Sequence, residues 1–248
     1  MPGPRRLDPA VFGTPQMPLG WQDAVGVPTE QRVKNEAGTA WTMTAGPTAH
    51  SDLASSVTGS ATFTVSDITA VDGDSTLDRI NFVAEFSGPE QGGKRDQYRV
   101  VVNKAIARGP HHPYFGGVAT NTYLHGSTGL GTMLQPRQFV YGAFWGVGQL
   151  YRNGQRVADD QVVHVMITQR VRTSMADGYR LAFTDQLEAL KGMGRQMHVI
   201  LAPMEVTPSG AVPRPVPTNF KLPNGQTQPF LHIMYDAVTD VRGGLSGK

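Results

Sequence analysis

The chain has 248 residues, of which 17% are charged, with 29 glycines, 18 prolines and no cysteine. Its 22 basic and 20 acidic residues nearly cancel, to a net charge of +2, and no basic stripe with interleaved aromatics is present, which argues against nucleic acid as a partner. The absence of cysteine excludes disulfides, thiolate metal sites and a cysteine nucleophile, and no apolar run approaches the roughly 18 residues of a membrane span.

This length supports one large β-domain or two smaller ones. Low charge with abundant Gly and Pro predicts many short strands joined by turns, with little helix. The basic start Met1-Pro2-Gly3-Pro4-Arg5-Arg6 is followed by no apolar h-region, so no signal peptide is visible. The expected location is periplasmic or secreted with an export signal removed, the cytoplasm being the alternative.

Residues 1–36 show neither the helical nor the strand period. Pro2, Pro4, Pro9, Pro15, Pro18 and Pro28 oppose a helix, and Phe12, Leu19 and Trp21 are scattered apolar anchors. The segment reads as an extended Pro-rich arm that docks on its own domain or on a neighbour. Residues 37–242 read as a single β-domain, and residues 243–248 as a frayed tail.

Within that domain, strands are expected at 39–45 and at 60–68, where Ala61, Phe63 and Val65 share one face. A turn at Asp72-Gly73-Asp74 leads to a strand over 77–86. That strand pairs with 97–107 across a long polar tip, Gly88 to Arg95. A turn-rich stretch, 109–136, encloses a short strand at 118–124. The strand 139–151 puts Phe139, Tyr141, Trp145, Val147 and Tyr151 on one side and Gly142, Gly146 and Gly148 on the other, a sign of close backbone approach, a bend or a barrel corner. Asn153-Gly154 is the strongest hairpin signal, and Asp159-Asp160 suggests a further turn. A short strand over 179–183 precedes the one helical stretch, 184–191, capped by Thr184 or Asp185. The six prolines within 207–229 predict a long loop laid over a surface.

Three segments alternate with period two: 161–170, 196–206 and 229–241. In the first, Val163, Val165 and Ile167 oppose His164, Met166 and Thr168; in the last, Leu231, Ile233 and Tyr235 oppose His232 and Met234. The pattern predicts a greasy interior on one side and a His/Met face on the other. His164, His198 and His232 are spaced 34 residues apart, yet the intervening segments are unlike one another, so this is not a repeat. The fold expected is an all-β antiparallel sandwich or barrel of about nine to eleven strands, with one short helix and an extended N-terminal arm.

Catalytic signatures are weak. Gly88 to Arg95 imitates P-loop spacing but lacks the Ser/Thr that holds Mg²⁺ and is followed by no helix. A Gly-x-Ser-x-Gly elbow is absent. His111, His112 and His125 lie in Pro- and Gly-rich loops, where turn roles are commonest. The sequence therefore points first to a non-enzymatic extracytoplasmic binding or assembly subunit, docking on a protein partner or on a second copy through its Pro-rich arm, with Phe12, Leu19 and Trp21 as anchors, and through the Pro-rich loop 207–229. One alternative is a copper or zinc protein using His164, His198 and His232 with Met166 and Met234: neutral imidazoles suit Zn or Cu(II), and thioethers favour Cu(I). The other is a barrel that binds or isomerises an apolar ligand beside the strand 139–151.

Overall fold

The computed structural model describes residues 6–19, 29–43, 49–52, 54–69, 75–107, 117–174, 176–183, 186–190, 192–222 and 225–239. Trp21, His111, His112, the turn at Asp72-Gly73-Asp74, the helix cap at Thr184 or Asp185 and the tail from 243 lie outside them.

The N-terminal segment is not simply extended. Pro9–Phe12 forms a one-turn helix, α1, in which Pro9 occupies a first-turn position that needs no N–H, and Asp8 Oδ1 caps it by accepting from the Ala10 N–H at 2.8 Å. Leu7, Val11 and Phe12 are buried with Trp41 and Met133 in a cluster of their own. Two short strands, β1 (Val33–Lys34) and β2 (Trp41–Met43), make a separate small sheet across the expected boundary at residue 36.

Nine strands form one antiparallel sheet: β3 (Gly59–Ser66), β4 (Arg79–Gln91), β5 (Lys94–Ala105), β6 (Val118–Leu124), β7 (Gln138–Arg152), β8 (Gln155–Gln169), β9 (Arg195–Thr207), β10 (Gly210–Pro213) and β11 (Leu231–Tyr235). The path runs β3-β4-β5-β7-β8-β9. The long strand β7 also pairs with β6, and β9 carries both β10 and β11 on its far side. The fold is all-β, as the composition implies. The second helix, α2, is a single turn, Leu187–Leu190. No helix of the described residues is long and apolar enough to cross a membrane.

The sheet curls around one interior. Phe63 of β3 stacks on Phe144 of β7 (5.6 Å between centroids), and the Tyr235 hydroxyl of β11 donates to the Glu85 carbonyl of β4 at 3.0 Å. The two ends of the sheet thus face each other without a ladder between them. Inward residues of successive strands form layers: Val163, Leu201 and Leu231 are cross-strand neighbours in one, and Val165, Val199 and Ile233 in the next. Phe82, Phe86, Tyr98, Phe144 and Phe220 fill the rest of the interior.

Several local expectations change. The hairpin between β4 and β5 has no long tip: Gln91 pairs with Lys94, and Gly92-Gly93, both at positive φ (57° and 76°), make a two-residue turn. Asn153-Gly154 does the same between β7 and β8, at φ 52° and 80°. Asp159-Asp160 is no turn; β8 runs through it with a register shift nearby, Asp160 taking φ 53°. Strand 179–183 reduces to one bridge between Arg172 and Leu181. The Pro-rich stretch from 207 contributes β10, which folds back on β9, and then sends Val216 and Phe220 into the core.

Candidate functional site

Strands β8, β9 and β11 are consecutive neighbours, and their polar residues share the outer face of the sheet. Ile200 lies between His164 and His232, and His198 lies directly between Met166 and Met234. A register shift in β7 between Val140 and Gly142 continues this face: Val140, Ala143 and Trp145 stand opposite Thr168, Met166 and His164, while Gly142, Phe144 and Gly146 stand opposite the inward residues of β8. Trp145 stacks on His164 with 4.3 Å between ring centroids.

This face is covered. The segment around residues 49–52 and the loop from His125 to Gln138 lie over it, so that Met166, Thr168 and His198 are fully buried and His164 nearly so. Two further imidazoles arrive from the covering segments. The His125 ring lies 6.3 Å from that of His164, and the His50 ring 5.8 Å from that of His232. The His50 Nδ1 lies 3.1 Å from Gln135 Nε2, and Gln138 Nε2 donates to Gln135 Oε1 at 2.7 Å.

The hydrogen bonds fix the tautomers. A ring nitrogen facing a carbonyl oxygen must carry the proton. His232 Nδ1 faces the Ala49 carbonyl at 2.5 Å, so its Nε2 bears the lone pair and accepts from His198 Nδ1–H at 3.1 Å. That leaves His198 Nε2 as a bare, buried lone pair with no hydrogen-bond partner. His125 Nδ1–H donates to the Thr132 carbonyl at 3.0 Å, and its unprotonated Nε2 therefore faces Met166 Sδ, 3.1 Å away. His164 Nδ1–H donates to the Phe144 carbonyl at 2.8 Å.

Burial keeps these rings neutral. It pushes His125 down to about 4, partly offset by the Thr132 carbonyl. Burial, followed by the neighbouring Arg172 cation, pushes His232 down to about 3. His198 is held well below the ordinary histidine range by burial first and then by His232. Neutral imidazoles with lone pairs directed into the protein are Lewis bases.

The backbone at His125 is strained to present its ring. It sits at φ 65°, ψ −175°, a region open essentially to glycine alone. Gly131, at φ 78°, makes room for it: a Cβ there would stand 2.7 Å from His125 Cε1 and Nδ1.

The sequence-expected residues thus divide. His198 and Met166 face each other across β8 and β9, with His164 diagonal to His198 on the same face. His232 has both nitrogens engaged and orients His198 instead. Met234 Sδ accepts from Arg172 Nε at 3.0 Å, which places a cation against the thioether. Of the arm residues, Phe12 is fully buried in the chain's own fold, because the Arg32 guanidinium bonds its carbonyl and the aromatic cluster encloses its ring; it presents no surface to a partner. Leu19 stays partly exposed. His125 was legible only as a loop histidine, and His50 carried no sequence signal. Among the described residues, no three His, Asp or Glu side chains converge as a metal-binding group. Comparison with known proteins finds no matching family model, no matching curated protein and no matching solved structure.

Proposed function

We propose that the chain binds a soft metal ion, Cu(I), between His125 Nε2, Met166 Sδ and His198 Nε2, with His164 alongside. One observation carries the reading: two buried electron-pair donors, His125 Nε2 and Met166 Sδ, face each other at 3.1 Å with no proton between them. Two lone pairs at that distance gain nothing from each other, and a Lewis acid shared between them turns the contact favourable. A mixed imidazole and thioether set selects Cu(I) over Zn(II). The second nitrogen of each ring is already committed, as ligating histidines require: His125 to a carbonyl and His198 to His232.

The test is anaerobic loading with Cu(I), desalting and metal analysis, with Ag(I) as a redox-inert probe. The reading expects one ion retained per chain and affinity about 10- to 100-fold weaker in Met166→Leu, which keeps the side-chain volume. A wild-type chain that retains no stoichiometric metal ends it. Retention of Zn(II) by wild type and Met166→Leu alike would point instead to an imidazole-only site.

The assembly-subunit reading keeps one supporting observation. Beyond the buried Phe12 the N-terminal segment exposes Met17 (79%) and Leu19 (37%). Deleting residues 1–30 would also remove Leu7, Val11 and Phe12 from a buried cluster, so the cleaner test is Met17→Asp with Leu19→Asp. The double variant should lower the sedimentation coefficient of any oligomer or complex, in whichever compartment the chain works; an unchanged assembly rejects it. The aromatic rings that fill the interior of the curled sheet leave the reading of a barrel with an apolar ligand beside the strand 139–151 without a supporting observation.

A further inference from the structure

On the open flank of β11, where the curled sheet fails to close, a cavity of about 180 Å³ lies between that strand and residues 54–57. At the roughly 30 Å³ that each water takes up in the liquid, this holds about six waters or one small organic molecule. Arg172 and Gln228 form part of its polar wall, and Val57, Phe220 and Leu231 part of its apolar wall.

Both polar groups are incompletely used. Arg172 is 3% exposed, and none of the described carboxylates forms an ion pair with it. Its guanidinium bonds the Tyr179 carbonyl (Nη1, 3.0 Å), the Ser51 carbonyl (Nη2, 2.9 Å) and Met234 Sδ, three contacts for five N–H donors. Asp52 and Asp236 act on this buried cation only from beyond ion-pair distance and offset part of the cost of its burial. Gln228 is 4% exposed; its Nε2 donates to the Phe230 carbonyl at 2.7 Å, and its Oε1 is buried without a donor. Flipping the amide would set that oxygen against the Phe230 carbonyl, so the unsatisfied acceptor is fixed by its surroundings. Asp236 also borders the cavity, with its Oδ1 already accepting from Tyr179 Oη (2.7 Å) and Gln196 Nε2 (2.8 Å) and lying 3.7 Å from Arg170.

We infer that this cavity binds a small organic carboxylate that carries a hydroxyl or ammonium group beside the carboxyl and a short apolar tail. The carboxylate takes the spare N–H donors of Arg172, the neighbouring donor satisfies Gln228 Oε1, and the tail lies on Val57, Phe220 and Leu231. An ammonium would gain further from Asp236, which a hydroxyl would not.

The probes are 2-hydroxyisovalerate and L-valine, with isovalerate lacking the donor and 2-methylpropan-1-ol lacking the carboxylate. Calorimetric titration of the metal-free chain should show one site for at least one of the first two. Isovalerate should bind about tenfold or more weakly, and the alcohol should not bind measurably. Gln228→Leu should erase the advantage over isovalerate, and Ser56→Trp, at an exposed position on the rim, should abolish binding by filling the cavity. Met166→Leu should leave binding unchanged, which separates this site from the proposed metal site. The inference is overturned if neither carboxylate binds, or if binding survives Ser56→Trp undiminished.

Discussion

Trp145 lies flat against His164, with 11° between the ring planes, on the covered face of the sheet. This contact puts an indole beside the imidazoles that surround Met166, because the register shift in β7 turns Trp145 outward next to β8. A metal ion bound by His125 and Met166 should therefore change the fluorescence of Trp145 in particular. Titration with Ag(I) is expected to quench the wild-type signal, and Trp145→Phe to remove most of the change while Trp21 and Trp41 still emit. Equal quenching in the variant would place the ion elsewhere.

Gly131 decides where the His125 ring can sit. A methyl group there meets the ring at 2.7 Å on a backbone already at φ 78°. Gly131→Ala should lower Cu(I) affinity about tenfold or more and stability by about 1 kcal/mol, measured by competition with a chromophoric chelator and by urea denaturation. Affinity retained in full would detach His125 from the site.

Gly146 lets β7 approach β5 on the inner face. An added Cβ would stand 2.4 Å from Val102 Cγ1 and 2.9 Å from the Lys104 carbonyl oxygen, a backbone atom with little freedom to yield. Gly146→Ala is expected to cost about 1–3 kcal/mol. The urea midpoint should fall accordingly, and Gly154→Ala, in open space but at φ 80°, should fall for the different reason of backbone strain.

Asp78 ties three backbone amides together. Its Oδ1 accepts from the N–H of Ile68 (2.7 Å) and Thr69 (2.8 Å), and its Oδ2 from that of Val118 (2.7 Å), joining the entry of β4 to the start of β6. Asp78→Ala leaves all three donors without their acceptor and should destabilise by about 3 kcal/mol or more. Hydrogen exchange should localise the loss to residues 68, 69 and 118; protection retained at Val118 would contradict it.

The faces of the strands were legible because strand periodicity is local. Val163, Val165 and Ile167 alternate with His164 and Met166 whatever the neighbours are, and burial of the apolar set selects the inward side. The Asn153-Gly154 turn was legible for a similar reason, since it needs only its own backbone conformation. The reading of Gly88 to Arg95 as a long tip failed because a run of polar residues looks the same in a loop and in the exposed end of a ladder. There Glu90 and Arg95 face each other 3.6 Å apart and Gly92-Gly93 makes the turn. The α1 turn was hidden by counting prolines without their position, since Pro9 begins the helix rather than breaking it.

The sequence by itself determined an all-β chain, its inward residues and a row of imidazoles and thioethers on the opposite side. Tertiary structure alone decided that β8, β9 and β11 lie side by side, that His125 and His50 come over them from distant segments, and that Met234 faces Arg172 while Met166 faces His125. The reason is physical: side-chain direction follows from neighbouring backbone atoms, but the proton on each imidazole follows from an acceptor supplied elsewhere in the chain. For His232 that acceptor is the carbonyl of Ala49, 183 residues away.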